Sequence, residues 1–284
     1  MSHFSVLVIT EQQPTEDALN DILAPWHEFE CTGWNNQYVI DADVTEESLG
    51  YGEGDLNKAL SYHGLEDKIV ADEADVNREI DHKYGYAIVR DGKLIKAVNR
   101  TNPNKKWDWW VVGGRFSGRL LLKSGVTVNQ AMLCTIDLHA MREDARSRAI
   151  KLWDEVHETV SGLPTIEDWN QIRKTAQSID AARERYWAQP AVTALKERFP
   201  KSWGLDREVE AAGRARDEYG QREADDAIST FAFVKDGQWI ERGEMGWFAC
   251  VANEREQADW SAEFNKMLDT LPPTAWLTVV DCHI

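Results

Sequence analysis

The chain has 284 residues, of which 43% are apolar and thirteen are tryptophan, so it can bury a sizeable core and we expect a folded protein, not a globally disordered one. Lys and Arg number 32 against 49 Asp and Glu, and the formal net charge of -17 argues against wrapping of duplex DNA, because phosphate contacts need cations. The sequence contains neither an apolar run long enough to span a membrane nor a charged leader, so we expect a cytoplasmic protein without a membrane anchor.

The amino-terminal part begins with a predicted buried strand over residues 4–10, where the sequence is apolar and rich in β-branched side chains. A helix is predicted from Pro14-Thr15 to about Trp26, with carboxylates in its first turn where the helix dipole stabilises them. Residues 29–41 are predicted to be extended. Residues 42–82 are acidic but lack the spacing of a calcium-binding loop, and they predict a solvated loop with a short helix.

A β-hairpin is predicted over residues 84–98, where two β-rich runs are joined at Asp91-Gly92. The second run leads into residues 102–119, which combine turn residues, three tryptophans, a glycine pair and two arginines. Core packing explains the tryptophans but not the sequence Gly113-Gly114-Arg115. We therefore interpret this stretch as a functional site around which the rest of the chain is organised.

Within this stretch, residues 107–112 are predicted to form a short strand. Alternation along a strand assigns its side chains to two faces: Trp107, Trp109 and Val111 on one, and Asp108, Trp110 and Val112 on the other. The glycine pair that follows the strand would let a ligand or another backbone segment approach closely.

The charge balance reverses between residues 90 and 123, where nine basic residues face only Asp91 and Asp108, a local balance of nine minus two, or +7. A basic segment in an acidic protein predicts an anion-binding site. The alternative is that these cations lie on solvated faces and complement acidic segments elsewhere in the fold. The nine are Arg90, Lys93, Lys96, Arg100, Lys105, Lys106, Arg115, Arg119 and Lys123.

From residue 140 to residue 228 the sequence becomes charged and helix-favouring, with few β-branched residues, which predicts an inserted helical subdomain of four helices. β-character then returns with a second hairpin signal at Asp236-Gly237. A helix over residues 260–271 and a final strand over residues 275–284 complete the predicted elements.

The order of these elements predicts an α+β fold, because the chain begins strand then helix and ends helix then strand. We expect a mixed or antiparallel sheet in which the first and last strands are neighbours, with helices on one face. The predicted domains are an α+β core formed by residues 1–139 and 229–284 and a helical insertion formed by residues 140–228.

The carboxy-terminal strand carries the clearest candidates for chemistry, since Asp281 and His283 would point to the same face. With Asp108 beside them in the sheet, two carboxylates and an imidazole could bind a metal or serve as a base and its orienting group. The alternative is a histidine near the chain end that is exposed or satisfied by a carbonyl. The other histidines lack metal-ligand spacing, and we assign neither a metal site nor a cofactor.

Two common kinds of site have no support in the sequence. The cysteines are Cys31, Cys134, Cys250 and Cys282, and their scatter favours a reducing compartment over a zinc ribbon or a disulfide framework. The motifs of serine hydrolases, phosphate-binding loops and dinucleotide-binding folds are also missing.

Three motifs stand out, namely NPxxKWDWWxxGGRF from Asn102, GEMGW up to Trp247 and TVVDCHI up to Ile284. Together they resemble a family of uncharacterised tailed-bacteriophage proteins. The resemblance covers the centre and the ends of the chain but not residues 140–228, and it implies no catalytic residue. It implies a viral accessory protein that acts in the cytoplasm of a bacterial host, where such proteins counter defence systems.

Three functions remain open on the sequence. The first is a module that binds an anionic, nucleotide-like ligand, which could be a nucleotide, a nucleotide signal or single-stranded nucleic acid, with stacking aromatic residues and phosphate-holding groups. The second is an enzyme that hydrolyses or modifies such a ligand with Asp108, Asp281 and His283. The third is an inhibitor that binds a host defence protein through its acidic surface or helical region. The candidate ligand-binding residues are Trp107, Trp109, Trp110, Gly113, Gly114, Arg115, Arg119 and Trp247, with Lys105 and Lys106 as further phosphate contacts.

Overall fold

The computed structural model of the protein describes residues 2–246 and 250–284. Up to residue 132 the elements are β1 (His3–Thr10), α1 (Glu16–Leu23), α2 (Phe29–Thr32), β2 (Ile40–Asp43), α3 (Thr45–Gly52), α4 (Leu56–Ser61), β3 (Ile69–Val70), β4 (Gly85–Arg90), β5 (Lys93–Thr101), β6 (Trp109–Val112), β7 (Leu120–Leu121), β8 (Thr127–Val128) and β9 (Gln130–Met132).

The helical region follows, with α5 (Leu138–Thr159), α6 (Trp169–Thr175), α7 (Ile179–Trp187), α8 (Pro190–Arg198), α9 (Asp206–Gly213) and α10 (Arg216–Asp225). The chain then forms β10 (Ala232–Lys235), β11 (Gln238–Glu241), β12 (Glu244–Met245), β13 (Val251–Ala252), α11 (Gln257–Asp269) and β14 (Trp276–His283). This combination of mixed sheets and helices is the predicted α+β fold.

A mixed sheet in the order β11-β10-β1-β14-β6 forms the centre of the fold, with β9 also paired to β14. β1 runs antiparallel to β14 over its whole length, from His3 opposite His283 to Thr10 opposite Trp276. β1 is parallel to β10 on its other side. The prediction that the first and last strands are neighbours is confirmed.

Both faces of this sheet are covered by helices, so the expectation of helices on one face was wrong. Leu7 and Val279 pack with α11 on one face, whereas Val6 and Val280 pack with Leu19 of α1 on the other. The physical reason lies in the strands themselves. They are apolar at successive positions, and both of their faces must therefore be removed from water.

A second sheet, in the order β2-β5-β4-β3, holds the hairpin predicted at Asp91-Gly92. Asp91 and Gly92 have φ of +50° and +70°, as a tight two-residue turn requires. The extended chain predicted for residues 29–41 instead contains α2 and the start of β2, and residues 42–82 contain α3, α4 and β3. Short helices of this kind carry little periodicity and are easily missed.

The helical region has a hydrophobic cluster of its own, which includes Val156, Leu195 and Tyr219. Residues 138–225 form six helices, so the predicted number of four was too low. The division into a core and a helical insertion remains a prediction. No helix in the described ranges 2–246 and 250–284 is long and apolar enough to cross a membrane.

Candidate functional site

β6 presents the predicted tryptophans to different environments. Trp109 and Val111 lie on one face and are each 43% exposed, while Trp110 packs against the hydrophobic cluster beneath α1. Trp107 was predicted to share the face of Trp109, but β6 begins only at Trp109, and Trp107 is buried with its Nε1 donating to the carbonyl of Leu23 at 3.1 Å. Trp109 is therefore the exposed indole of this strand.

His283 and Asp108 form a direct pair, as the sequence suggested they would if the strands met. Nδ1 of His283 lies 2.7 Å from Oδ1 of Asp108, and the backbone N–H of Asp108 donates to the carbonyl of His283 at 2.9 Å. The imidazole is buried and stacks on Trp109 with ring centroids 5.0 Å apart. His283 is thus held by a carboxylate and an aromatic ring, rather than exposed near the chain end.

His3 forms a second pair that the sequence reasoning missed. Its Nδ1 lies 2.9 Å from Oδ1 of Asp281, and its ring meets that of His283 edge-on with centroids 4.9 Å apart. The signal that could have found it is the predicted pairing of the first and last strands, since residues 3 and 283 occupy matching ends of that pair. We call His3, Asp108, Asp281 and His283 the His–Asp cluster.

The glycine pair brings the backbone against this cluster. The N–H of Arg115 donates to Oδ2 of Asp281 at 2.9 Å, and a Cβ placed on Gly114 would lie only 2.4 Å from that same oxygen. Gly113 has φ of +75°, and a Cβ there would meet the side chain of Asn129 at 2.3 Å. In this structure the close approach predicted for the glycines is made by residues of the chain itself.

Each imidazole of the cluster has its Nδ1 at a carboxylate oxygen. An ionised carboxylate can only accept hydrogen bonds, so the Asp108 and Asp281 partners place the ring proton on Nδ1 of each histidine. Within residues 2–246 and 250–284, Nε2 of neither His3 nor His283 has a hydrogen-bond partner. Each Nε2 therefore has no partner within the protein, and it can accept a proton when its ring is neutral and donate one when its ring is protonated.

Much of the predicted basic segment is neutralised by acidic residues from elsewhere, as the alternative interpretation held. The pairs are Arg90 with Asp72, Lys96 with Glu73, Arg100 with Asp41, Lys105 with Glu28 and Glu30, and Lys106 with Glu241. Arg119 donates to the carbonyl of Ser229, and burial lowers the pKa of its guanidinium. In the described part of the chain the guanidinium of Arg115 makes no ion pair, and its backbone adjoins the His–Asp cluster.

A cleft of about 470 Å³ runs beside β6 and brings several candidates together. Trp34, which the sequence analysis did not select, contributes a 42% exposed indole. The predicted ligand-binding residue Trp247 lies outside the described residues. The lining side chains are Glu16, Asn20, His27, Thr32, Trp34, Trp107, Asp108, Trp109 and Trp110.

A second cavity lies in the helical region, away from the predicted site residues. This cavity of about 390 Å³ is lined by residues such as Trp169 and Tyr186 and contains none of the predicted site residues. Over the same described ranges, His, Cys, Asp and Glu side chains form no group of three or more that could hold a metal ion. Comparisons of the chain with protein-family models, curated proteins and solved structures found no match.

Proposed function

We propose that the protein binds an anionic, nucleotide-like ligand on the face formed by Trp109, Arg115 and the His–Asp cluster. One observation carries this proposal: an exposed indole stacks on one of two adjacent imidazoles, and the backbone of Arg115, whose guanidinium makes no ion pair in the described part of the chain, bonds the carboxylate that holds the other imidazole. The ring of His3 lies 5.2 Å from that of Trp109 and is joined through Asp281 to the backbone of Arg115. An aromatic platform with an arginine in the adjoining turn suits a planar base with an attached phosphate.

The ligand would be held by two kinds of contact. A base can stack on Trp109, with the other indoles of the adjacent cleft as further apolar surface. The planar guanidinium of Arg115 can donate paired hydrogen bonds to phosphate oxygens. Since the chain is acidic overall, a local cation also makes the site selective for a small anion over a long polyanion.

Isothermal calorimetry with AMP and ATP tests the proposal. Arg115→Ala should weaken binding by roughly 1.5–3 kcal/mol, and Arg115→Lys nearly as much because it loses the planar fork. Trp109→Ala should cost roughly 1–3 kcal/mol of stacking. Trp203→Ala and Arg173→Ala are matched controls, because Trp203 is 97% exposed and Arg173 is exposed without an ion pair in the described residues.

Thermal unfolding of the same variants separates a binding role from a structural one. If Arg115 contacts ligand, both of its variants should melt as the wild type does. A loss of stability that accounts for all of the binding loss would overturn the site assignment. Unchanged affinity in Trp109→Ala and Arg115→Ala would overturn the binding proposal altogether.

The resemblance to tailed-bacteriophage proteins supports a wider proposal, that the protein acts in the host cytoplasm and counters a defence system that uses a nucleotide signal. A phage lacking the gene should then be restricted by hosts that carry such a defence. The wild-type gene supplied in trans should restore growth, and the Arg115→Ala gene should not. Equal rescue by both genes would separate the host role from ligand binding and favour inhibition by protein–protein contact.

A further inference from the structure

The His–Asp cluster contains more than a binding site needs. A nucleotide could be held by an indole and a guanidinium alone, yet two imidazoles lie side by side next to the indole of Trp109, each held by its own carboxylate. The register of β1 and β14 sets His3 directly opposite His283, and both side chains lie on the face of Trp109. Such an arrangement is able to move two protons at one place.

We propose that His3 and His283 act together as general base and general acid and hydrolyse a phosphodiester bond in the ligand. This inference rests on the proposed nucleotide site, because stacking and phosphate contacts there would bring the bond to the imidazoles. Phosphodiester hydrolysis removes one proton from the attacking water and adds one to the leaving oxygen. Two oriented imidazoles match that requirement.

The reaction balances with water as the only co-reactant. Nε2 of the neutral imidazole accepts a proton from water while the water oxygen forms a bond to phosphorus. The bond from phosphorus to the ribose oxygen breaks, and the protonated imidazole gives its Nε2 proton to that oxygen. The products are a phosphomonoester and an alcohol, and proton exchange with solvent returns both histidines to their starting states.

The surrounding residues favour water over a protein nucleophile. Cys282 is buried on the opposite face of β14, and burial raises the pKa of its thiol well above the ordinary value. The hydroxyl of Ser5, near the cluster on β1, accepts the N–H of Phe231 at 3.4 Å and lies in a buried residue. Both carboxylates of the cluster are already bonded to the histidines.

Asp108 and Asp281 are positioning residues in this scheme, because they contact the imidazoles and not the ligand. Each carboxylate fixes the tautomer that leaves Nε2 facing the ligand and stabilises the imidazolium when it forms. The backbone N–H of Arg115 bonds the second oxygen of Asp281, so the Gly113-Gly114-Arg115 turn orients that carboxylate. The same turn would then place the guanidinium and the acid–base groups around one phosphate.

The test uses the full chain with three phosphodiesters, bis(4-nitrophenyl) phosphate, the dinucleotide ApA and cyclic di-AMP, in the presence of EDTA. We expect cleavage of at least one of them, with oxygen from ¹⁸O-labelled water in the phosphomonoester. His3→Gln and His283→Gln should each lower kcat by roughly 100- to 10,000-fold. His139→Gln is the matched control, because His139 is exposed and remote from the cluster in sequence, and it should retain wild-type activity.

Substitution of the two carboxylates distinguishes a positioning role from a purely structural one, because only a positioning role predicts a change in kcat without a change in stability. Asp108→Asn and Asp281→Asn should lower kcat with little change in KM, because they disturb the imidazoles and not the ligand contacts. In His283→Ala, added imidazole should restore part of the activity if the variant retains its fold, as judged by thermal unfolding. Equal losses in kcat and in melting temperature would overturn the positioning role.

Failure of this inference is distinguishable from failure of the proposed binding function. Nucleotide binding that depends on Trp109 and Arg115, with no cleavage of any of the three phosphodiesters, would overturn the catalytic proposal and leave the binding proposal standing. Cleavage that depends on His3 and His283 but is unaffected by Trp109→Ala or Arg115→Ala would do the reverse. Cleavage abolished by EDTA, or unchanged in His3→Gln and His283→Gln, would also overturn the acid–base mechanism.

Discussion

Gly114 lies so close to Asp281 that a methyl group on it would sit 2.4 Å from the carboxylate oxygen Oδ2 and 2.6 Å from Cβ. The same oxygen accepts the N–H of Arg115. The Gly-Gly-Arg sequence thus serves the orientation of a buried carboxylate in the first instance. The contact ties the turn after β6 to the strand that carries His283.

Gly114→Ala should destabilise the protein and disturb the His–Asp cluster together. The left-handed backbone at φ +50° costs a non-glycine residue about 1–2 kcal/mol, and the collision with Asp281 adds to that cost. Gly64→Ala isolates the backbone cost, because Gly64 has φ of +63° with no atom within 4 Å of the added methyl group. Thermal unfolding should show a larger loss for Gly114→Ala, and equal losses would contradict the collision.

Val279→Asp should unfold the protein, since Val279 is fully buried in the strand between β1 and β9. A buried charge without a partner costs several kcal/mol, while the stability of a domain is only about 5–15 kcal/mol. Val126→Asp, at a site that is 56% exposed, is the control and should stay folded. Circular dichroism of both variants checks the prediction, and a native spectrum for Val279→Asp would contradict it.

Replacing residues 142–226 with a short Gly/Ser linker should leave a folded α+β core. The helical region packs much of its apolar surface into its own cluster, and Met141 and Ile228, which pack in the central core, are kept. Stability should fall, because bonds such as that from Arg222 to Gln257 of α11 are lost. A chemical unfolding curve without a cooperative transition would show that the helices are integral to the core.

Lowering the pH should weaken the fold in part through His27. Burial lowers the pKa of this buried histidine below its usual value of 6.5, so the unfolded chain binds the proton more readily than the folded one. The contribution of His27 to stability is then full above pH 6.5 and is lost progressively as the pH falls below it. Urea unfolding at pH 7 and pH 5 should show a smaller pH effect in His27→Gln than in the wild type or in His139→Gln.

The features that were predicted correctly from the sequence depend on residues close together in the chain or on the order of the elements. The turn at Asp236-Gly237 needs two residues with positive φ, and the values of +51° and +70° at these positions follow from residue types that tolerate it. The pairing of β1 with β14 was predictable because both are short apolar runs at the ends of a strand–helix and a helix–strand unit. These inferences need only neighbours along the chain or a simple order of elements.

The rest of the site depends on contacts that no local pattern encodes. His3 contacts Asp281, which is 278 residues away along the chain. The residues next to His3 in the sequence therefore give no information about this carboxylate. The glycine pair indicated that another group approaches the backbone. The sequence could not distinguish a bound ligand from the side chain of Asp281, because either would require glycine at this position. Likewise, the +7 balance of the basic segment was visible, whereas its partners, such as Glu241 for Lys106, come from distant segments.

The placement of β1 has a consequence for the synthesis of this protein on the ribosome. β1 is made before both strands that pair with it, because β10 and β14 follow the second sheet and all of the helical region along the chain. Its backbone groups therefore stay unpaired with β10 and β14 while the intervening residues are synthesised, which is a hazard for aggregation and a reason for slow folding. A nascent chain that stalls before β14 can contain His3 but never the His–Asp cluster.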